Sequence, residues 1–292
     1  MKGAFRSIKN FFLPYGSPDR LGLFRLLFGI YLIWLMSGFI PAIPLAFSVE
    51  GFNLPLIESS SSGTDKLNEF FARISTPVSV TKAYIFYSVL MACLLLFTVG
   101  IWVRAAIFGI IGFLIYYYLI FFHFTECSFD KVNLIILAIL FFSPCDEAWS
   151  IKSWARTKKG LAGPKSVPLW TQQLICLEIS IMYLGTAIYK IFSGAWNGGE
   201  VIYYALMGDW STQLSFWLAG QGLAMGWYDL LVLLVILFEF TAWFMLYNRQ
   251  WQRLWMVGGF IFHLSNALLL NVWEFMNFPL VYILFLRPQK CS

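Results

Sequence analysis

Few side chains in this sequence could carry chemistry, and most of them lie inside long apolar runs. Lys190 stands near the end of one run, in YLGTAIYKIFSGAW, and Glu178 lies earlier in the same run. Glu239 is in the middle of a second. His263 is in the middle of a third, with Ser265 and Asn266 close by; positions 263 and 266 share a helix face. A further cluster, HFTECSFDKVN, brings together His123, Glu126, Asp130, Lys131 and Asn133 between two runs. An ionisable group at the centre of a membrane helix costs roughly 2.5–3.5 kcal/mol on insertion scales, so such groups usually face a bundle interior and often mark function.

Each has a bland reading and a sharper one. The Lys190 stem can snorkel to the membrane interface, or its amine can act as a base, since an amine in a dry pocket loses proton affinity. Its place just before Gly194 and Trp196 suits a pocket roofed by a loop. His263 can hydrogen-bond between helices or relay a proton. Glu178 and Glu239 can tie helices together or pair with a base, and with His263 they could form a proton path. No inverted repeat or paired broken helices support a transporter. Glu178 and Lys190 are twelve residues apart on one helix, about 18 Å, so they cannot pair directly. HFTECSFDKVN reads as a solvated loop or as part of a site on the side of Lys190.

The elements that must position these residues follow from composition. The chain has 292 residues, 60% hydrophobic, 20% aromatic and only 12% charged, with a mean hydropathy of +0.73. Soluble chains carry about 45–50% apolar and about 25% charged residues. A soluble enzyme, a disordered chain and a secreted disulfide scaffold are excluded, which leaves an integral membrane protein. Eight apolar segments read as helices: about 21–39, 83–102, 105–122, 132–142, 169–191, 230–246, 254–270 and 275–286. The fourth and eighth are short for a span of about 20 residues. The expected fold is an all-α polytopic transmembrane bundle of about eight spans, a single domain over residues 1–292. Long apolar blocks do not suit a membrane barrel.

Charge sets the expected orientation. With eight spans, 15 of the 20 Lys and Arg fall on one side, including Arg104, the group from Lys152 to Lys165, Arg249 and Arg253. That side is read as cytoplasmic, with both termini there. Glu50, Glu58, Asp65, Glu69, Glu126, Asp130, Glu200 and Asp209 fall on the other. The net charge of +5 then reflects topology, and nucleic acid is not an expected partner. No cleavable signal peptide is expected, because the first run is a full span without a small-residue cleavage site. Residues 1–13 could lie on the membrane as an amphipathic segment. The loop over 194–226, rich in Trp, is expected at the outer interface. The cysteines read as small hydrophobes, with no CxxC and no expected disulfide. No HExxH, GxSxG or P-loop is found, and no metal is expected.

Four blocks resemble the HTTM superfamily, the membrane domain related to vitamin K-dependent gamma-carboxylase. They are DRLGLFRLLFGIYLI, NLIILAILFFSPCDEAWSI, YLGTAIYKIFSGAWNGGE and FIFHLSNALLLNVWEFMNFPLVYILF, in family order and spread over most of the chain. The third and fourth are the most specific. The resemblance implies that Lys190 is the base acting on a reduced vitamin K or menaquinone-like quinol, at an outer-leaflet site. In the carboxylase the quinol is deprotonated and oxygenated, and the strong base so formed takes a glutamate γ-proton before carbon dioxide adds. It also implies that His263 shapes the pocket. Asp130 is added as a catalytic candidate, with Asn266, Trp196 and Tyr189 as cofactor-binding ones. Two departures stand against the full reaction. Where the carboxylase has a catalytic histidine, this chain reads CSFDKVN, with Phe129 or Asp130 nearest. The carboxylase's large soluble C-terminal part has no counterpart in the sequence.

The chain is also similar to the small SdpB-like proteins that take part in maturing a bacterial peptide toxin. Two functions are therefore expected as alternatives. One is a carboxylase-like (lyase-type) membrane enzyme in a bacterial cytoplasmic membrane. The other is a non-catalytic maturation or export partner that binds a peptide or small protein through Trp196, Trp210 and Trp217.

Overall fold

A computed structural model describes residues 14–51, 76–120, 128–161 and 166–286. Among them are twelve α-helices. They are α1 (Asp19–Ser37), α2 (Ile43–Phe47), α3 (Val80–Val99), α4 (Val103–Ile120), α5 (Ser128–Phe141), α6 (Ile151–Lys158), α7 (Trp170–Phe192), α8 (Glu200–Ala205), α9 (Gln213–Ala219), α10 (Met225–Met245), α11 (Gln252–Leu270) and α12 (Asn277–Phe285). The only described sheet is a two-residue antiparallel pair, Tyr15–Gly16 with Val167–Pro168. The chain divides into two compact units, with the boundary in sequence inside α7, between Thr171 and Gln172.

All eight apolar segments are helical where described, and among the described residues six elements are long and apolar enough to cross a membrane: Asp19–Phe47, α3, α4, α7, α10 and α11. The two short segments differ. Helix α12 has 9 residues, about 14 Å at 1.5 Å per residue, against a hydrocarbon core of about 30 Å, and the described part of α5 has 14 residues. Local sequence stops them. Pro144 disfavours helix in the residue before it, two residues after α5 ends. Asn271, left-handed at φ +53°, closes α11, and a 3-10 turn over Trp273–Met276 takes up the residues before α12. The long helices keep apolar surface outward: only 22% of the α10 window and 17% of the α11 window is buried. Leu230, Leu233, Leu237, Phe240 and Phe244 of α10 are all exposed. Such a surface suits hydrocarbon as its solvent.

In the first unit α1 packs on α3, α3 on α4 and α4 on α5. A buried cation locks it. Arg25 of α1 is 0% exposed, and its Nη1 donates to Phe97 O at 2.7 Å and Thr98 O at 3.0 Å. Its Nη2 donates to Trp149 O. The last carbonyls of a helix have no partner within it, so one guanidinium serves the end of α3 and the loop after α5 together. The turn there needs Gly100, at φ +78°. A Cβ on it would lie 2.5 Å from Arg25 Nη1 and 2.4 Å from Ser150 Cβ.

In the second unit α8 packs on α10, α9 on α11, and α11 on α12. Part of the segment expected as an aromatic loop is therefore helix. Helix α9 begins with a capping box of Thr212 and Ser215, and Thr212 Oγ1 donates to Leu268 O of α11 at 2.8 Å. The approach to α8 needs Gly199. Its N–H donates to Asp229 Oδ1 at 2.6 Å, and a Cβ would stand 2.4 Å from Tyr228 Cβ. Two glutamines close helix ends. Gln172 donates to Leu284 O at 2.6 Å, and Gln252 donates to Leu246 O at 2.6 Å and Phe285 O at 2.9 Å.

Candidate functional site

The second unit brings three helices together on their polar residues. Tyr183 and Lys190 of α7 are seven apart, so they fall on one face. Glu239 is buried on α10. His263 is buried on α11, with Gly259 and Ala267 one turn to either side. Lys190 Nζ lies 2.5 Å from Glu239 Oε1, and the two side chains are 14% and 6% exposed. The Trp196 ring lies against the ammonium, 4.5 Å from Nζ to its centroid, a cation–π contact in a partly desolvated place.

Beside this pair runs a chain of hydroxyls and imidazole. Tyr183 Oη is 2.7 Å from His263 Nε2 and 2.5 Å from Tyr282 Oη of α12. The His263 ring stacks on Phe278 at 5.1 Å and 19°, and Phe238 meets the Tyr183 ring edge-on at 5.7 Å. Two atoms of the cluster, Glu239 Oε2 and His263 Nδ1, are buried without a hydrogen-bond partner among the described residues. Buried polar atoms are ordinarily paired, so these are places for a ligand or water to bond. Among the described residues no group of three or more His, Cys, Asp or Glu is placed to hold a metal ion.

The approach of Tyr282 depends on Gly259, where a Cβ would lie 2.1 Å from Tyr282 Oη. Gly259→Ala is expected to push Tyr282 off Tyr183 and to cost about 1–3 kcal/mol as overpacking. Gly258→Ala is the control, since its Cβ would meet only Phe238 at 3.9 Å. Thermal unfolding in detergent separates the two, and equal melting points would show that Tyr282 yields freely.

No family model, curated protein or solved structure matches the chain.

The residues singled out from sequence divide as follows. Lys190, Trp196 and His263 lie in the cluster. Asn266 is half-buried three residues beyond His263 on α11. Tyr189 is 68% exposed, turned by about 100° from its neighbour Lys190 along the helix. Asp130 belongs to the first unit, on α5, where the Tyr118 hydroxyl donates to it at 2.9 Å. Glu178 is half-buried near the middle of α7. His123, Glu126 and Cys127 lie outside the described residues. Sequence reasoning did not pick out Tyr183, Tyr282 or the match of Glu239 to Lys190. The seven-residue spacing of Tyr183 and Lys190 was the available signal for the first. The others depend on contacts between helices far apart in sequence.

Proposed function

We propose that this chain is a membrane-embedded acid–base protein of the HTTM type, in which Lys190 serves as base on a lipid quinol or similar ring hydroxyl. The observation that carries the reading is the buried Lys190–Glu239 pair beneath Trp196. A base must first lose its own proton, and Glu239 is the acceptor in place. Transfer across 2.5 Å would leave the free amine that can take a proton from the ligand. Trp196 then holds the amine whenever it is protonated again. The Tyr183 hydroxyl, between His263 and Tyr282, can pass a proton along or away from the cluster.

A quinol is a ligand class these residues could hold: Glu239 Oε2 and His263 Nδ1 are the buried polar atoms that could bond its hydroxyls. Bound there, it would supply an acidic hydroxyl and a reaction with oxygen. Entry from the bilayer fits the apolar outer faces of α10 and α11. Glutamate carboxylation is left out of the proposal, because the carboxylase's catalytic histidine has no counterpart in CSFDKVN.

The test is oxygen uptake by the purified protein in nanodiscs supplied with menaquinol. Uptake is expected with the native chain and a loss of at least about 100-fold with Lys190→Met, within the range for removing a general base. Uptake unchanged in a folded Lys190 variant would end the base assignment. A second reading, a peptide-maturation partner, is favoured by the exposed Trp210 (62%), Phe216 (50%) and Trp217 (60%) of the second unit. A small peptide that co-purifies from the native host and is lost on Trp217→Ala, with no quinol-dependent uptake, would favour that alternative.

A further inference from the structure

One end of the first unit carries an aromatic and basic surface. Trp102 lies in the turn between α3 and α4, and Trp149 immediately precedes the Ser150 cap of α6. Both are bulky residues held left-handed, at φ +46° and +52°, a conformation that costs energy for such residues and persists only where the surroundings enforce it. Both are exposed, at 78% and 56%. They belong to one place. Arg25 bonds the end of α3 and the Trp149 carbonyl, and Gly100 abuts Ser150.

From that point runs α6, closed by a capping box of Ser150 and Ser153. Ile151 and Trp154 expose apolar surface (46% and 63%), and Lys158, one turn beyond Trp154, lies 5.2 Å from its ring centroid. The other face is already neutralised. Lys152 bridges Asp146 at 2.7 Å and Glu147 at 2.6 Å, and Arg156 bridges Glu147 at 2.6 Å. Burial pushes the Glu147 carboxyl up, but its hydrogen bonds to Lys152 and Arg156 outweigh that and hold it below the ordinary carboxylate value. Arg104, Lys158 and Lys159 have no carboxylate partner among the described residues and are all exposed.

We propose that Trp102, Arg104, Trp149, Trp154, Lys158 and Lys159 form a docking surface for the headgroups of anionic phospholipids. The three cations with no carboxylate partner among the described residues meet the lipid phosphate. The tryptophans sit where aromatic rings favour the boundary between headgroups and acyl chains. The surface lies at the end of apolar helices, so headgroups are the anions beside it. A short amphipathic helix with cations on its polar side is the form of an interfacial anchor.

The test uses the full chain purified in a neutral detergent and measures retained lipid by native mass spectrometry, titrating phosphatidylglycerol against phosphatidylcholine. Preferential binding of phosphatidylglycerol is expected, weakening as salt rises. Each lysine removed should weaken it about fivefold, so Lys158→Gln with Lys159→Gln should lose more than tenfold. Both positions are exposed, so the melting point of the variant in neutral detergent should stay that of the native chain. Equal retention of the two lipids, native-like binding by the double variant, or displacement of the lipid by millimolar glycerol phosphate would each overturn the proposal. The last result would mark a soluble anion as the ligand. Oxygen uptake at the Lys190 cluster is a separate readout, so either proposal can fail alone.

Discussion

Arg25→Leu is expected to lower the stability of the protein by about 3–5 kcal/mol, the largest loss from any single substitution in the first unit. The side chain is fully buried and donates to three carbonyls, those of Phe97, Thr98 and Trp149. Leucine can fill part of the space, but it leaves the Thr98 and Trp149 carbonyls without a donor and Phe97 O with only the Gly100 N–H at 3.2 Å. Each buried, unsatisfied acceptor costs about 1–3 kcal/mol, and some relaxation toward water keeps the sum below the maximum. Arg25→Lys should recover only part of the loss, because a single ammonium cannot reproduce the planar fork that spans two chain segments. Thermal unfolding of the detergent-purified protein reads the effect as a drop of about 6–15 °C. A shift under about 2 °C would mean that the α3 carbonyls find other donors, and that Arg25 does not lock the unit.

The second large effect belongs to the Lys190–Glu239 pair. Lys190→Met removes the partner of a carboxylate that is only 6% exposed. Breaking a buried pair on one side typically costs about 3–5 kcal/mol, because a charge is left uncompensated. Glu239→Leu alone should cost a similar amount by stranding the ammonium. The double variant Lys190→Met/Glu239→Leu should return to within about 1 kcal/mol of the native protein, since an apolar pair of similar volume needs no compensation. The coupling between the two positions should therefore be strong and compensating. Additive losses would show that the two groups act separately, and the proton exchange proposed between them would fall. The double variant also separates stability from activity. If it is folded yet shows no quinol-dependent oxygen uptake, the loss reflects chemistry and not unfolding.

The helices were legible because a bilayer demands them. Backbone groups in hydrocarbon must bond within their own segment, so an apolar run long enough to span declares a helix. The run around Lys190 was expected over 169–191 and is found as Trp170–Phe192; the run around His263 was expected over 254–270 and is found as Gln252–Leu270. Local stops were also in the letters. Pro144, Gly100 and Asn271 each carry a backbone constraint that ends or turns a helix. The eighth segment is expected to be short for a span, and its α-helix has nine residues.

The chemistry was legible only as separate residues. Lys190, His263 and Glu239 could be recognised as costly in an apolar run, and the loop after Lys190, with Gly194 and Trp196, as a roof to a pocket. Nothing in the letters joined Lys190 to Glu239, 49 residues away, or placed the Tyr282 hydroxyl on Tyr183. In a soluble helix the polar stripe shows which face points outward, and the opposite face then identifies the partners. In a membrane helix both the lipid-facing and the inward faces are apolar, so the run that defines the helix hides its rotation. Composition and run length alone determined that the chain is a set of membrane-type helices with a few misplaced charges. Tertiary structure decided which charges meet, because that depends on helix rotation and on close approaches such as that of Tyr282 to Gly259, which only packing between distant segments can set.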